Sequence, residues 1–291
     1  MQRPRRASPA QKVAFLRDPN SHADHPAQVQ IIETHFAWVF LTSRYAYKLK
    51  KPARHVKMDY RTLAARERGC RDELRLNRRL AARVYLSLVP LVTDHGALAF
   101  GGRGRIEDWL VKMRRLPAAR MLDVALRRRA TRPADIDRVV DVLARFFRRA
   151  PADPIDGTRY VARLRQLAHG NYRALRRVGA RIRQSLVEDL ARAQLALIAR
   201  EFKALAARGA HVVEGHGDLR AEHVHLGPPV SVIDCLEFDR DLRLLDPAEE
   251  VALLGLEIER LGNLRLARQL LRGYCTAARD PISGALWHTY M

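Results

Sequence analysis

The feature that most constrains this chain is the stretch His216 to Phe238, HGDLRAEHVHLGPPVSVIDCLEF. Val224-His225-Leu226 and Val230 to Ile233 are short β-prone runs, and Gly227-Pro228-Pro229 between them is turn chemistry. The stretch therefore predicts a hairpin, with Asp218 just before the first strand and Asp234 just after the second. Pairing of the two strands returns both carboxylates to one end of the hairpin. Two acids held close together in a cleft share either a proton or a cation.

Phosphoryl transfer from ATP needs such a pair, one Asp to orient and deprotonate the attacking hydroxyl and another on the metal that bridges the phosphates. His216-Gly217-Asp218-Leu219 followed by Ile233-Asp234 resembles the catalytic loop and metal strand of aminoglycoside phosphotransferase-like kinases, relatives of protein kinases. The resemblance implies an α+β, two-lobed protein-kinase-like fold, with a small antiparallel sheet lobe and a larger helical lobe. It implies Asp218 as catalytic base, Asp234 as metal ligand, and ATP and Mg²⁺ as cofactors. Where the family carries Asn as second metal ligand, five residues after the base, this chain has His223. Imidazole is a poorer partner than a side-chain oxygen for hard Mg²⁺. His223 is read as a metal ligand, as a partner of Asp218 or as the mark of a degenerate site, with Glu222 beside it as a substitute oxygen donor. The expectation is an ATP-dependent phosphotransferase acting on the alcohol group of a small molecule. The alternative is a pseudokinase or nucleotide-binding regulatory module without transfer activity.

The preceding half follows the same order. Val29 to Thr34, Trp38 to Leu41 and Tyr45 to Lys50 predict a three-stranded meander. In the third strand Ala46, Lys48 and Lys50 share a face. Tyr45-Ala46-Tyr47-Lys48 resembles the kinase strand that ends in the phosphate-binding lysine, which selects Lys48, with Lys50 as the alternative and a solvated edge lysine as the plain reading. The segment Leu63 to Ala82 has helical periodicity, and the kinase plan asks it for a glutamate that pairs with the lysine, Glu73 first and Glu67 second. The loop Thr34-His35-Phe36-Ala37 stands where kinases cover the phosphates with a glycine-rich turn. Having no glycine, it is expected to act through backbone amides and the Thr34 hydroxyl. Tyr85 to Val92, Ala97 to Phe100 and the run Trp109 to Met113 are expected to complete a five-stranded sheet. Met113 and Arg115 mark the position of the family's interlobe hinge, whose backbone would meet adenine; a buried strand leading to Pro117 is the competing reading.

Residues 1–27 read as a basic, partly ordered arm, 28–115 as the nucleotide-binding lobe and 116–291 as the helical lobe. In the last, Ala134 to Ala150 carries an apolar stripe behind Pro133, and a long helical pattern, interruptible near Gly170 and Gly179, runs to about Ala207 and ends at a C-cap at Arg208-Gly209. After Asp234 comes a local acidic zone with Glu237, Asp239, Asp241, Asp246, Glu249 and Glu250. It suits a second metal ion or a cationic substrate. Asp246-Pro247-Ala248 resembles a short loop-anchoring motif of the family, and Asp246 is equally a good N-cap.

Against that zone the whole chain of 291 residues carries a formal net charge of +21. The basic residues are spread over helices and not interleaved with aromatics. The charge is therefore read as solvated surface, with nucleic acid kept as the weaker reading and a small molecule as the expected partner. No run of eighteen apolar residues and no apolar leader is present, so no membrane partner and a cytoplasmic location are expected. Cys70, Cys235 and Cys275 form no CxxC pair, which points away from a disulfide framework. The clustered His211, His216, His223 and His225 raise zinc as a minor reading. The stretch from Glu33 to Leu80 with HGDL and IDCLEF resembles the kinase half of bacterial two-part proteins that add a P-loop domain. With no GxxxxGK(S/T) motif, that part is expected to be absent here. The final Trp287 to Met291 reads as a segment after which further chain is expected.

Overall fold

The computed structural model describes residues 6–55, 57–178 and 182–291. These form two compact units, one from the described residues up to Val124 together with His223–Asp239, the other from Ala125–Glu222 and Arg240–Met291. The division therefore falls after Val124 and not after Arg115, and the hairpin groups with the first unit. The cause is local: the Leu226 N–H donates to the Arg120 carbonyl at 2.8 Å, and Met121 bridges to His225.

In the first unit the described part of the segment expected to be a partly ordered arm, residues 6–27, packs on the core through α1. Helix α1 (Pro9–Arg17) begins with a reciprocal capping box between Ser8 and Gln11. Its Leu16 is fully buried with Phe40, Leu49 and Leu110, and Lys12 pairs with Asp108 at 2.8 Å. The capping sequence S-P-A-Q and the apolar Val13 and Leu16 carried this information. Strands β1 (Gln30–Glu33), β2 (Ala37–Leu41) and β3 (Tyr45–Lys50) form the expected meander, with Ala37 paired to Lys50 and Trp38 to Leu49. A two-residue ladder, β4 (Arg54–His55) with β5 (Met58–Asp59), leads to helix α2 (Leu63–Ala81), capped by the Thr62 side chain. Strands β6 (Tyr85–Asp94), β7 (Ala97–Phe100) and β8 (Arg105–Arg114) complete an antiparallel sheet in the order β1-β2-β3-β8-β6-β7.

The sheet has six strands where five were expected: each of the six runs named in the sequence becomes a strand, and the run around Trp109 extends to ten residues between β3 and β6. Leu110 and Val111, neighbours on β8, are both fully buried. One faces the α1 side with Leu16 and Leu49, the other the α2 side with Cys70, Ala46 and Met113. Both sheet faces are thus covered at this point of the strand, which is why Leu110 and Val111 are apolar in succession and do not alternate with polar residues.

Helix α3 (Leu122–Arg127) crosses the division. The second unit is mainly helical: α4 (Pro133–Arg149), α5 (Gly157–Arg177), α6 (Gln184–Arg200) and α7 (Phe202–Arg208), then α8 (Pro247–Arg260), α9 (Leu264–Ala278) and α10 (Gly284–Tyr290). Pro133 is the first residue of α4, and Ile136, Val139, Val140, Leu143, Phe146 and Phe147 form its buried stripe, as the periodicity predicts. Helix α4 packs on α9, α9 on α8 and α8 on α10. In the long helical pattern α5 ends at Arg177 and α6 begins at Gln184, on either side of the expected break near Gly179, and the other divisions differ from expectation. Gly170 lies inside α5, Gly179 lies outside the described residues, and a further break comes at Glu201. Gly209 follows α7 in a right-handed conformation, φ −54°, and not in the left-handed cap a glycine suggests. It is glycine for space: a Cβ there would stand 2.5 Å from the Ile155 carbonyl oxygen. Two-residue strands β9 (Val213–Glu214) and β12 (Leu244–Leu245) pair in this unit, and β10 (Val224–His225) pairs with β11 (Ser231–Val232) in the first.

Candidate functional site

The predicted hairpin forms, Val224 opposite Val232 and His225 opposite Ser231, with the Ile233 N–H closing onto the His223 carbonyl at 2.9 Å. Two residues past β11 the backbone at Asp234 turns left-handed, φ 60°. A non-glycine residue holds that conformation only where its surroundings over-determine it, and such positions gather at functional sites. Here the Asp234 N–H donates to the Tyr85 hydroxyl at 3.1 Å and the Cys235 N–H to Asn77 Oδ1 at 2.9 Å. The turn aims the Asp234 carboxylate back at β3.

Both lysines of β3 point to the same side, as the period of two requires, and an unbroken chain of charges results. Lys48 Nζ lies 2.6 Å from Asp234 Oδ1 and 2.9 Å from Glu73 Oε1, and Lys50 Nζ lies 2.6 Å from Glu73 Oε2 and 2.5 Å from Glu237 Oε1. Glu73 reaches them because Arg66, Gly69, Cys70, Glu73, Leu76 and Asn77 form the buried stripe of α2. Glu67, the second choice, instead pairs with Arg71 one turn on, at 2.7 Å, on the solvent side. Lys48 and Lys50 need not be alternatives, since one glutamate holds both. They differ in access: the Lys48 side chain is 14% exposed and that of Lys50 only 2%.

Burial alone would drive both ammoniums neutral, but it is outweighed for Lys48 by Asp234, Glu73 and Glu237, and for Lys50 by Glu237 and Glu73, so both are held well above the usual lysine range. Lys48, against the opposing effect of burial and with help from His223 and Lys50, holds the Asp234 carboxyl far below the carboxylate range. Glu237 is lowered too, its burial overcome by Lys50 and Lys48. His223 is nearly buried, in the one-turn 3-10 segment Ala221–His223, with Nε2 3.8 Å from Asp234 Oδ2. It is not on the strand with His225, whose ring accepts from the Gly227 N–H at 3.2 Å.

Other expected positions fall elsewhere. The Thr34 hydroxyl is used inside its own loop, donating to the Ala37 carbonyl and accepting from the Ala37 N–H, both at 3.0 Å. A threonine that closes a tight turn in this way has spent its hydroxyl locally. Met113 lies within β8, paired with Ala46 on one side and Tyr85 on the other. The Arg115 N–H donates to the Arg44 carbonyl at 2.9 Å and its guanidinium to the Thr42 carbonyl at 2.7 Å, so Arg115 fastens the β2–β3 turn.

Asp218 belongs to the second unit, half-buried, in a loop fixed from α8. The Glu250 carboxylate accepts from the His216 N–H at 2.9 Å and from the Gly217 N–H, and Gly217 takes φ 85°. The Asp218 N–H donates to His216 Nδ1 at 3.3 Å, which gives His216 the loop-orienting role. Beyond Asp218, Arg220 pairs with Glu257 at 3.0 Å, and the Ala221 N–H donates to the same carboxylate at 2.6 Å. The Glu257 hydrogen bond raises the Arg220 pKa against burial. Tyr60, Asn77, Tyr85 and Glu257 are not singled out in the sequence as site residues, and Glu250 enters there only as part of the acidic zone. Nothing local marks the first three, but Glu250 and Glu257 are the acids at i and i+7 on one helix.

Among the described residues no three His, Cys, Asp or Glu side chains converge to hold a metal ion, and no helix is long and apolar enough to cross a membrane.

No family model matches the chain. It is 32% identical over 276 residues to uncharacterized proteins of Mycobacterium tuberculosis and Mycobacterium bovis, covering 90% of this chain and 52% of each of them. The chain thus spans about half the length of the curated relatives it matches. Among solved structures it is similar to the GDP and kanamycin complex of APH(2")-IIia, with a TM-score of 0.53, 13% identity and coverage of 97% of this chain and 86% of that one. It is also similar to aminoglycoside phosphotransferase APH(3'')-Id from Streptomyces rimosus, with a TM-score of 0.52, 16% identity and coverage of 97% and 95%. The six-stranded antiparallel sheet, the helical unit and these two likenesses give one result: the chain has the α+β protein-kinase-like fold of the aminoglycoside phosphotransferases.

Proposed function

We propose that the protein is a phosphotransferase that moves the terminal phosphoryl group of ATP to the alcohol group of a small molecule. The observation that carries this reading is the Asp234–Lys48–Glu73 arrangement: a strand lysine held by a helical glutamate beside a left-handed aspartate after a hairpin. In this reading Lys48 holds phosphate oxygens, Glu73 keeps Lys48 extended, and Asp218 accepts the proton of the attacking hydroxyl. His216 and Glu250 fix the loop around Asp218 by the hydrogen bonds described, so that the base is pre-oriented.

The donor set suits Mg²⁺ in the manner that ion prefers, one or two carboxylates with the remaining positions left to phosphate and water. Asp234 would hold it, its side chain being 47% exposed with a carboxylate free of proton. When bound, the ion would neutralise the charge of the phosphates. His223, near Asp234, fits such an ion less well, and it favours a second reading, a nucleotide-binding module without transfer.

Purified protein incubated with ATP or GTP, Mg²⁺ and a metabolite library should transfer phosphate to an alcohol acceptor. Asp218→Asn should lower the rate by roughly 10²- to 10⁴-fold while nucleotide binding and melting temperature stay close to wild type. Transfer at the wild-type rate by Asp218→Asn would refute the role of the base. Metal-dependent nucleotide binding without transfer to any acceptor would select the second reading.

A further inference from the structure

The phosphotransferase reading uses one lysine of β3, and the chain places two on the same glutamate. We propose that Lys50, Glu237 and Tyr60 form a positioning unit that fixes the carboxylate of Glu73 and, through it, the ammonium of Lys48. The proposal rests on the reading of Lys48 as the phosphate-holding group.

Glu73 has two oxygens and no contact with water. Lys50 takes Oε2 at 2.6 Å, which leaves only Oε1 for Lys48 at 2.9 Å. The contact with Oε1 is an ion pair but not an aligned hydrogen bond: Oε1 is a buried acceptor with no hydrogen-bond donor among the described residues, and the aligned bond of Lys48 goes to Asp234 at 2.6 Å. Glu73 therefore keeps an unfilled acceptor directed at the Lys48 ammonium. Rotation about the last bond of a glutamate is broad and nearly free. Without Lys50 the carboxylate would turn and offer Lys48 both oxygens, pulling it toward α2 and away from any phosphate.

The position of Lys50 is itself over-determined. Its ammonium meets Glu237 at 2.5 Å and lies 5.0 Å from the centre of the Tyr60 ring, whose hydroxyl donates to the same Glu237 oxygen at 2.9 Å. Tyr60 fits there because residue 69 is glycine: a Cβ at Gly69 would stand 2.7 Å from the Tyr60 ring. Glu237 lies three residues past Asp234, so the unit also pins the far end of the turn that carries Asp234. With side-chain exposures of 2% for Lys50 and 11% for Glu237, water has little room to replace either partner.

The test separates positioning from simple support of the fold. MgATP affinity is measured by calorimetry well below the melting temperature for wild type, Lys50→Met, Glu237→Gln and the paired Lys50→Met/Glu237→Leu. The paired variant removes both charges and keeps the volume apolar, so its melting temperature should recover toward wild type. Its MgATP affinity should nevertheless stay about 10-fold or more below wild type, the size of effect that small misplacements produce. Glu237→Gln keeps an acceptor for Lys50 and Tyr60 and should bind MgATP within about 3-fold of wild type. Wild-type affinity in the paired variant, or affinities that simply follow the melting temperatures, would overturn the positioning role and leave the phosphotransferase reading standing. A wild-type protein that shows no MgATP binding overturns both.

Discussion

Each unit contains a buried ion network, and the two are finished to different degrees. In the second unit the Arg208 guanidinium is held between two carboxylates, at 2.7 and 2.6 Å from the Asp246 oxygens and 2.6 and 2.7 Å from those of Asp280. Asp246 further accepts from the Ala248 N–H and the Tyr290 hydroxyl and is wholly buried. Every oxygen there is used, so the network anchors the start of α8 to α7 and to the end of α9. In the first unit the chain from Asp234 to Glu237 has one buried oxygen without an aligned donor, one half-exposed carboxylate and a left-handed residue. Its Lys48 is shared between Asp234 and Glu73. A saturated network stabilises a fold, whereas an unsaturated one retains interactions that a ligand can complete.

This contrast can be broken by mutation. Removing the cation of the saturated network, Arg208→Ala, leaves two buried carboxylates uncompensated and should cost about 3–5 kcal/mol, read as a large drop in melting temperature. Lys48→Met should cost much less, on the order of 1–2 kcal/mol, because Glu73 keeps Lys50 and Asp234 can reach water. It should nonetheless abolish any MgATP-dependent rise in melting temperature. If Lys48→Met proves as destabilising as Arg208→Ala, the two networks are not different in kind.

The smallest expected effect is in pH dependence, and the two units differ in its sign. Asp234 is lowered in the folded state, so it contributes stability above the ordinary carboxylate range that is lost as pH falls through its folded pKa. Glu249, next to the saturated network, is pushed up to about 7 by burial and then by the neighbouring Asp246 charge. Its neutral form favours the fold, so its contribution is present below about pH 4.5 and is lost as pH rises toward 7. Thermal melts from pH 5 to 8 should show Glu249→Gln gaining a few degrees on wild type toward the upper end. Parallel curves for the two proteins would remove Glu249 from the account.

Much of the arrangement was legible along the chain. The β10–β11 hairpin announced itself by two β-prone runs around Gly227-Pro228-Pro229, and the strand lysines and the helical glutamate lay in sequence order before it. Local signals sufficed there because turn chemistry and the periods of two and 3.6 act over a few residues. The α1 helix is legible in its capping box, but its packing is not, since burial of Leu16 depends on partners on three strands. The local use of the Thr34 hydroxyl is not legible in the sequence, because its partner, the Ala37 backbone, comes within reach only when the loop closes.

Sequence alone determined most of the elements and the two carboxylates flanking the hairpin, because each follows from spacing within an element, while the pairing of a β3 lysine with Glu73 came from the resemblance to the kinase plan. Only the tertiary structure decided that Lys48 and Lys50 divide one glutamate between them, that Tyr60 and Glu237 lock the second lysine, and that Asp234 turns left-handed. Those outcomes depend on contacts between residues far apart in the chain, such as Lys50 with Glu237, packed in an interior where one missing Cβ at Gly69 admits an aromatic ring.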